Sequence, residues 1–184
     1  MFSVVFPGQG SQKIGMAKDF FDKFEIVKKI FKNADDILEF PISKIILDGP
    51  EDKLNLTENT QPAIFLTSYS IFNVAKKEFG INFDKAQYIA GHSLGEYSAL
   101  CCFGALAFED TLKILKKRGR SMQEAVPANE GSMLAVLGSQ LSVVEKLIKE
   151  NVKDCFIANN NSPQQVVVSG LKKNIDIFSE VLNK

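Results

Sequence analysis

The chain has 184 residues, 45% hydrophobic and 24% charged, with 22 basic side chains set against 22 acidic ones. That length suits one domain, or one and a part, and the apolar content is enough for a packed core, which argues against a disordered or fibrous chain. The zero charge balance removes any general reason to expect nucleic acid or a membrane surface as partner.

Cysteine usage points the same way. Cys101 and Cys102 are adjacent in an apolar run, Cys155 stands alone, and no C-x-x-C spacing exists. Neither a disulfide framework nor a zinc site is expected, and a reducing, cytoplasmic setting is. The N-terminal "MFSVVFPGQG" lacks the basic flank and length of a signal peptide, and no apolar stretch approaches the ~18 residues of a membrane span.

Phe2 to Phe6 reads as a buried strand stopped by Pro7 and Gly8. Ile26, Val27, Ile30, Phe31, Ala34, Ile37 and Leu38 then fall on one helical face, a pattern that Pro41 ends. Thr57 or Thr60 is a candidate cap for a long helix reaching about Phe79, with Pro62 near its first turn and Gly80 just past its end. Ala86 to Gly91 reads as a second buried strand and Leu94 to Phe103 as a buried helix. Phe108 to about Ala125 predicts a third strong helix, with Leu112, Leu115 and Met122 inward and Lys113, Lys116 and Lys117 outward. Strand and helix alternating in this way predict an α/β fold with parallel strands under helices.

After Pro127 the rhythm changes. "GSMLAVLG" predicts a strand, "SVVEKLIKE" a helix capped by Ser142, and "CFIAN" a strand. Asn159 to Pro163 predicts a turn, "QVVVSG" a strand, and Lys172 to Asn183 a helix. This is a β-α-β-β-α unit, a split βαβ without its last strand, so the sequence is expected to stop inside a subdomain. The expected division is a core over 1–126 and a small subdomain over 127–184.

Gly91-His92-Ser93-Leu94-Gly95 sits between the second strand and a small-residue helix, the setting of a nucleophile elbow. Such a turn is tight, the serine is strained, and its flanking positions have no room for a Cβ. Its hydroxyl meets the helix N-terminus, where free N–H groups favour developing negative charge. An ordinary strand–helix turn is the competing reading. His92 is the only histidine, yet the side chain before an elbow serine projects away from it. His92 is therefore expected to support the turn beneath the serine, and the general base to come from elsewhere. "FPGQGSQ" also carries G-x-G after a strand, but Lys13 stands where a dinucleotide loop needs its third glycine.

"FPGQGSQ", "TQPAIF", "GHSLGEYSAL", "RGRSMQEA" and "NNNSPQQVVVSG", in this order and spacing, resemble malonyl-CoA:acyl carrier protein transacylases of bacterial fatty acid synthesis, from Phe2 to the last residue. The resemblance implies an α/β-hydrolase-like core with a ferredoxin-like small subdomain, both incomplete at the C-terminus. It implies transfer of malonyl from coenzyme A to the phosphopantetheine thiol of acyl carrier protein through a malonyl-serine ester, with no bound cofactor and no metal. Ser93 matches the nucleophile. The backbone N–H groups of Gln9 and Leu94 match the oxyanion hole, and Arg118 the arginine that pairs with the malonyl carboxylate. Gly91, His92 and Gly95 support the elbow. Members of the family continue past the end of this sequence with the segment that bears the catalytic histidine, so this chain alone is expected to be nearly inactive.

A guanidinium suits a carboxylate because it offers two parallel charge-assisted hydrogen bonds, and an acetyl group would leave that charge unpaired. Two other readings remain open. One is a non-catalytic module that binds acyl carrier protein or a complementing partner, with Lys113, Lys116, Lys117, Lys172 and Lys173 attracting acidic surface. The other is a serine esterase on the same elbow.

Overall fold

A computed structural model of the chain describes residues 1–126 and 130–182, and these form a mixed α/β structure of two compact units, Met1–Glu124 and Ala125–Lys184. Pro127, where the sequence changes rhythm, and Asn183, the expected end of the last helix, lie outside the described residues.

In the first unit, β1 (Phe2–Phe6) and β2 (Ala86–Gly91) form a two-stranded parallel sheet, with Phe6 opposite Gly91 at its carboxyl end. The helices are α1 (Lys18–Lys23), α2 (Glu25–Leu38), α3 (Ile42–Asp48), α4 (Glu51–Leu54), α5 (Thr57–Lys77), α6 (Leu94–Cys102) and α7 (Phe108–Glu124). Their apolar faces make the main core: Val27, Phe31 and Ala34 of α2 pack with Ile42 and Ile46 of α3, Phe65 and Leu66 of α5, and Leu112 and Leu115 of α7. A smaller cluster of Phe6, Phe72 and Ala99 closes one face of the sheet.

The second unit carries β3 (Gly131–Leu137), α8 (Leu141–Asn151), β4 (Cys155–Ser162), β5 (Gln165–Leu171) and α9 (Lys172–Leu182). Its antiparallel sheet runs β3-β5-β4. Val144, Val166, Val168 and Phe178 form a core of its own.

Several expectations need correction. The strands of the parallel sheet are buried on one face only: Phe6 is 4% exposed, while Val5 is 71% exposed and Tyr88 66%. Neither Thr57 nor Thr60 caps α5. Leu56 holds the N-cap position, and the Thr60 hydroxyl is used as a donor, to the Leu54 carbonyl at 2.6 Å. Pro62 stands in the second turn of that helix, which ends at Lys77, with Gly80 at φ 64 three residues on. Gln140, not Ser142, is the N-cap of α8. Asn159 to Ser162 continue β4 with an irregular register, so the turn shrinks to Pro163 and Gln164. On α7, Met122 is half exposed while Lys116 is half buried, drawn in by Glu58, Asn59 and the Phe40 ring. On α6, Glu96 and Leu100 are exposed, so that helix is buried on one side only.

Candidate active site

Both loops of the site leave the carboxyl ends of parallel strands, where α/β folds place ligands. β2 ends at Gly91, and the chain turns through His92 and Ser93 into α6. Ser93 holds φ 54 and ψ −112, a left-handed conformation that L residues other than glycine rarely adopt and that costs about 1–3 kcal/mol. Two neighbours explain how the turn holds together. A Cβ on Gly91 would lie 2.0 Å from the Gly95 carbonyl carbon, and a Cβ on Gly95 would lie 2.5 Å from the Phe6 carbonyl oxygen. Backbone is thus packed on backbone across the turn, and β1 rests directly on the first turn of α6.

The Ser93 side chain is exposed at that helix N-terminus. Leu94 is the first residue of α6 and is fully buried, and its N–H is one of those a helix start leaves without an intrahelical acceptor. His92 donates its backbone N–H to the Phe6 carbonyl at 3.1 Å. Its side chain is exposed rather than tucked beneath the turn: the residue lies against Gly8, where a Cβ would come within 2.5 Å of Nδ1. Gly8 is the contact that lets the loop after β1 lie along the elbow.

That loop is tied down by its own side chains. The Ser11 hydroxyl donates to the Gly8 carbonyl at 2.8 Å, and the Gln12 side chain accepts from the Gly10 N–H at 2.8 Å and donates to Asn55 Oδ1 at 2.9 Å. Gln9 is exposed, and its side-chain amide reaches the Thr57 hydroxyl at 3.4 Å.

Arg118 arrives from α7. Its Nη2 donates to Ser93 Oγ at 3.1 Å and its Nη1 to Gln61 Oε1 at 2.7 Å. The guanidinium carbon lies 5.8 Å from the Tyr97 ring centroid, within cation–π reach. Gly119 makes this crossing possible, since a Cβ there would lie 2.5 Å from the Thr57 carbonyl of α5. Two of five guanidinium N–H donors are engaged in these bonds, which leaves others for a carboxylate.

Gln61, Tyr97 and Met122 lie in the motifs quoted above but join the site without having been expected there. The available signal was the run Asn59-Thr60-Gln61, three polar residues at the start of a helix that proves buried, each at most 2% exposed. Asn59 donates to the Lys53 carbonyl and accepts from Lys116, so each polar residue of the run has a partner. Among the described residues no cluster of three or more His, Cys, Asp or Glu side chains is placed to hold a metal ion, and no helix is long and apolar enough to cross a membrane.

The lysines considered for an acidic partner are largely engaged nearby. Lys113 pairs with Glu109, Lys116 with Glu58 and Lys172 with Asp176.

The family described as acyl transferase domain matches residues 3–184. The "malonyl CoA-acyl carrier protein transacylase" of Bacillus subtilis (strain 168) is 43% identical over 180 residues, covering 96% of this chain and 56% of its own. A crystal structure of an acyl-carrier-protein S-malonyltransferase from Bartonella henselae superposes with a TM-score of 0.90 at 41% identity, covering all of this chain and 59% of that one. A structure of a type II PKS acyl-carrier protein in complex with its malonyl-transacylase gives a TM-score of 0.89 at 36% identity, over 99% of this chain and 59% of that one. The chain therefore spans somewhat more than half the length of these relatives. It belongs to the acyl transferase domain family.

Proposed function

We propose that the protein works in malonyl transfer from coenzyme A to acyl carrier protein, as the names of its relatives suggest, with Ser93 as the acyl carrier. One observation carries the reading: Arg118 Nη2 lies 3.1 Å from Ser93 Oγ. A cation able to grip a carboxylate stands beside an exposed hydroxyl at a helix N-terminus, as a substrate with a thioester at one end and a carboxylate at the other requires.

In the first half-reaction Ser93 Oγ attacks the thioester carbonyl and loses its proton, and the carbon–sulfur bond breaks to release coenzyme A as the thiol. The backbone N–H groups of Gln9 and Leu94 receive the oxyanion, while Arg118 turns a donor to the malonyl carboxylate. In the second, the phosphopantetheine thiol attacks the malonyl ester, the carbon–oxygen bond breaks and Ser93 regains a proton. His92, packed on Gly8, shapes the turn. We assign the proton acceptor to the part of the longer relatives that this chain does not span. Residual catalysis without a base is on the order of 10³–10⁴ over water, so loss of that acceptor should leave only slow transfer.

In the same reading Met1–Glu124 belongs to an α/β-hydrolase-like core and Ala125–Lys184 to a ferredoxin-like subdomain. The elbow between β2 and α6 supports the first assignment, and the β3-β5-β4 order around a β-α-β-β-α connection supports the second. Of the five lysines named for the binding-module reading, Lys113, Lys116 and Lys172 pair with nearby carboxylates, so that reading would draw first on Lys117 and Lys173. An esterase has no use for Arg118 beside the nucleophile.

Prolonged incubation with malonyl-CoA followed by intact-mass and peptide analysis tests the assignment. One malonyl adduct on the peptide containing Ser93, absent in Ser93→Ala, is expected. An adduct that survives that substitution overturns it.

A further inference from the structure

We propose that Gln61 is a positioning residue that sets acyl specificity, by anchoring the Arg118 guanidinium through an uncharged acceptor and so leaving its charge available to the substrate carboxylate. The inference rests on the assignment of Arg118 to carboxylate binding and asks what makes that arginine usable.

A half-buried arginine needs something to hold it. In most such places a carboxylate does so, and the pair is then neutral. Here the anchor is an amide. Gln61 is fully buried, and its Oε1 accepts from Arg118 Nη1 at 2.7 Å. Its orientation is fixed from the other end, since Nε2 donates to Met122 Sδ at 3.3 Å. Met122 stands one helical turn beyond Arg118 on α7, so one helix supplies both the cation and the sulfur that aligns its anchor. Gly119 between them brings α7 close enough to α5 for the contact. Lys116 and Arg120, two residues to either side of Arg118 on the same helix, share Glu58 instead, so the neighbouring carboxylate is already occupied by other cations. Among the described residues no carboxylate pairs with Arg118, so it is held in place by an uncharged anchor with Nη2 directed at Ser93 Oγ.

Two substitutions separate anchoring from charge. Gln61→Met keeps the shape and removes the acceptor. Gln61→Glu keeps the acceptor and adds a charge that competes with the substrate. In a Ser93→Ala background, where no acyl transfer occurs, calorimetric titration would give the dissociation constants of malonyl-CoA and acetyl-CoA, and side-chain nitrogen NMR would report the order of the Arg118 guanidinium. The parent should prefer malonyl-CoA. Gln61→Glu should keep the ordered Arg118 signals yet lose about tenfold to a hundredfold in malonyl-CoA affinity, with acetyl-CoA unchanged, the span expected for one charge-assisted contact. Gln61→Met should average the Arg118 signals and weaken malonyl-CoA selectively. Should the glutamate variant not fold, the methionine variant decides alone.

Unaltered Arg118 signals and malonyl preference in Gln61→Met overturn the anchoring role, and a malonyl preference retained in Gln61→Glu overturns the charge argument. A parent that binds both thioesters equally defeats the carboxylate assignment of Arg118 and the specificity role of Gln61 with it. The NMR comparison still decides whether Gln61 holds the guanidinium.

Discussion

Replacing Gly95 by alanine tests whether the candidate site is built by backbone-on-backbone packing. The added Cβ would lie 2.5 Å from the Phe6 carbonyl oxygen, 2.8 Å from that of Pro7 and 3.0 Å from the Phe6 carbonyl carbon. All three are backbone atoms, so no side-chain end can swing aside. To reach ordinary contact at 3.4 Å, the end of β1 must retreat from α6 by about 0.9 Å. The Phe6 carbonyl that must move also accepts the His92 N–H at 3.1 Å, so the shift strains the bond joining the elbow to β1. Overpacking of this kind costs about 1–3 kcal/mol and a weakened hydrogen bond about 1 more, against roughly 1 regained because alanine suits a helix better than glycine. A net loss of about 1–3 kcal/mol is expected, read from urea unfolding followed by far-ultraviolet circular dichroism. Gly91→Ala should cost more, since its Cβ would fall 2.0 Å from the Gly95 carbonyl carbon. Gly104 provides the control: it has φ 83 and nothing within 4 Å of its Cβ position, so alanine there meets only the left-handed penalty of about 1–2 kcal/mol. On the proposed function, a displacement near 1 Å between the Gly8–Gln9 loop and Ser93 should lower acyl transfer by about 10²-fold. Gly95→Ala within about 0.5 kcal/mol of the parent, with Gly104→Ala costing more, would refute the steric account.

Asp35 caps a neighbouring helix across a turn: it accepts the Ser43 backbone N–H at 2.8 Å and the Ser43 hydroxyl. Asp35→Ala should therefore cost about 1 kcal/mol, and an unchanged unfolding midpoint would remove the capping role. Burial pushes the Cys101 and Cys102 thiols above their ordinary range. Thiol reagents at mildly alkaline pH should modify both slowly until urea unfolds the chain, and rapid modification of the native protein would contradict their placement. The same shift fixes a pH dependence. The folded state holds those protons to higher pH than the unfolded chain does, so their contribution is complete below the unfolded thiol pKa of about 8.5 and is lost as pH rises beyond it. Urea midpoints should fall between neutral and strongly alkaline pH, and fall less in a Cys101→Ala, Cys102→Ala variant; equal declines would sink the assignment.

The long helices were legible because their period is physical. Val27, Phe31 and Ala34 repeat at helical spacing and do face the core. The short helices α1, α3 and α4 were not, since six, seven and four residues carry too little pattern, and α3 is held by the burial of Ile42, Ile45 and Ile46. Caps misled for a related reason. A threonine hydroxyl both donates and accepts, and the structure uses that of Thr60 as a donor to Leu54 and Leu56. At the candidate site the turn was readable because its glycine pattern lies within five residues, although the atoms that demand a glycine at 95 belong to Phe6 and Pro7. The pairing of Arg118 with Gln61 spans 57 positions, and only the fold brings it about.

The parallel strands carry apolar residues on both faces, but only one of the faces is covered by the described residues. An apolar run reports that a strand is suited to cover on both faces, as parallel sheets usually have. Here the face with Val4 and Phe6 meets Phe72, Phe83 and Phe103, while the face with Val5 and Tyr88 stays open. The candidate site does not depend on that second face. Its parts leave the strand ends: Phe6 gives the carbonyl that receives His92, and Gly91 gives the close approach that turns the chain onto Ser93. What aligns Ser93 and the Gly8–Gln9 loop is the contact of one strand end with one helix start. A substitution on the open face, such as Val5→Thr, should therefore leave the Arg118–Ser93 geometry in place, whereas one at Gly95 should not.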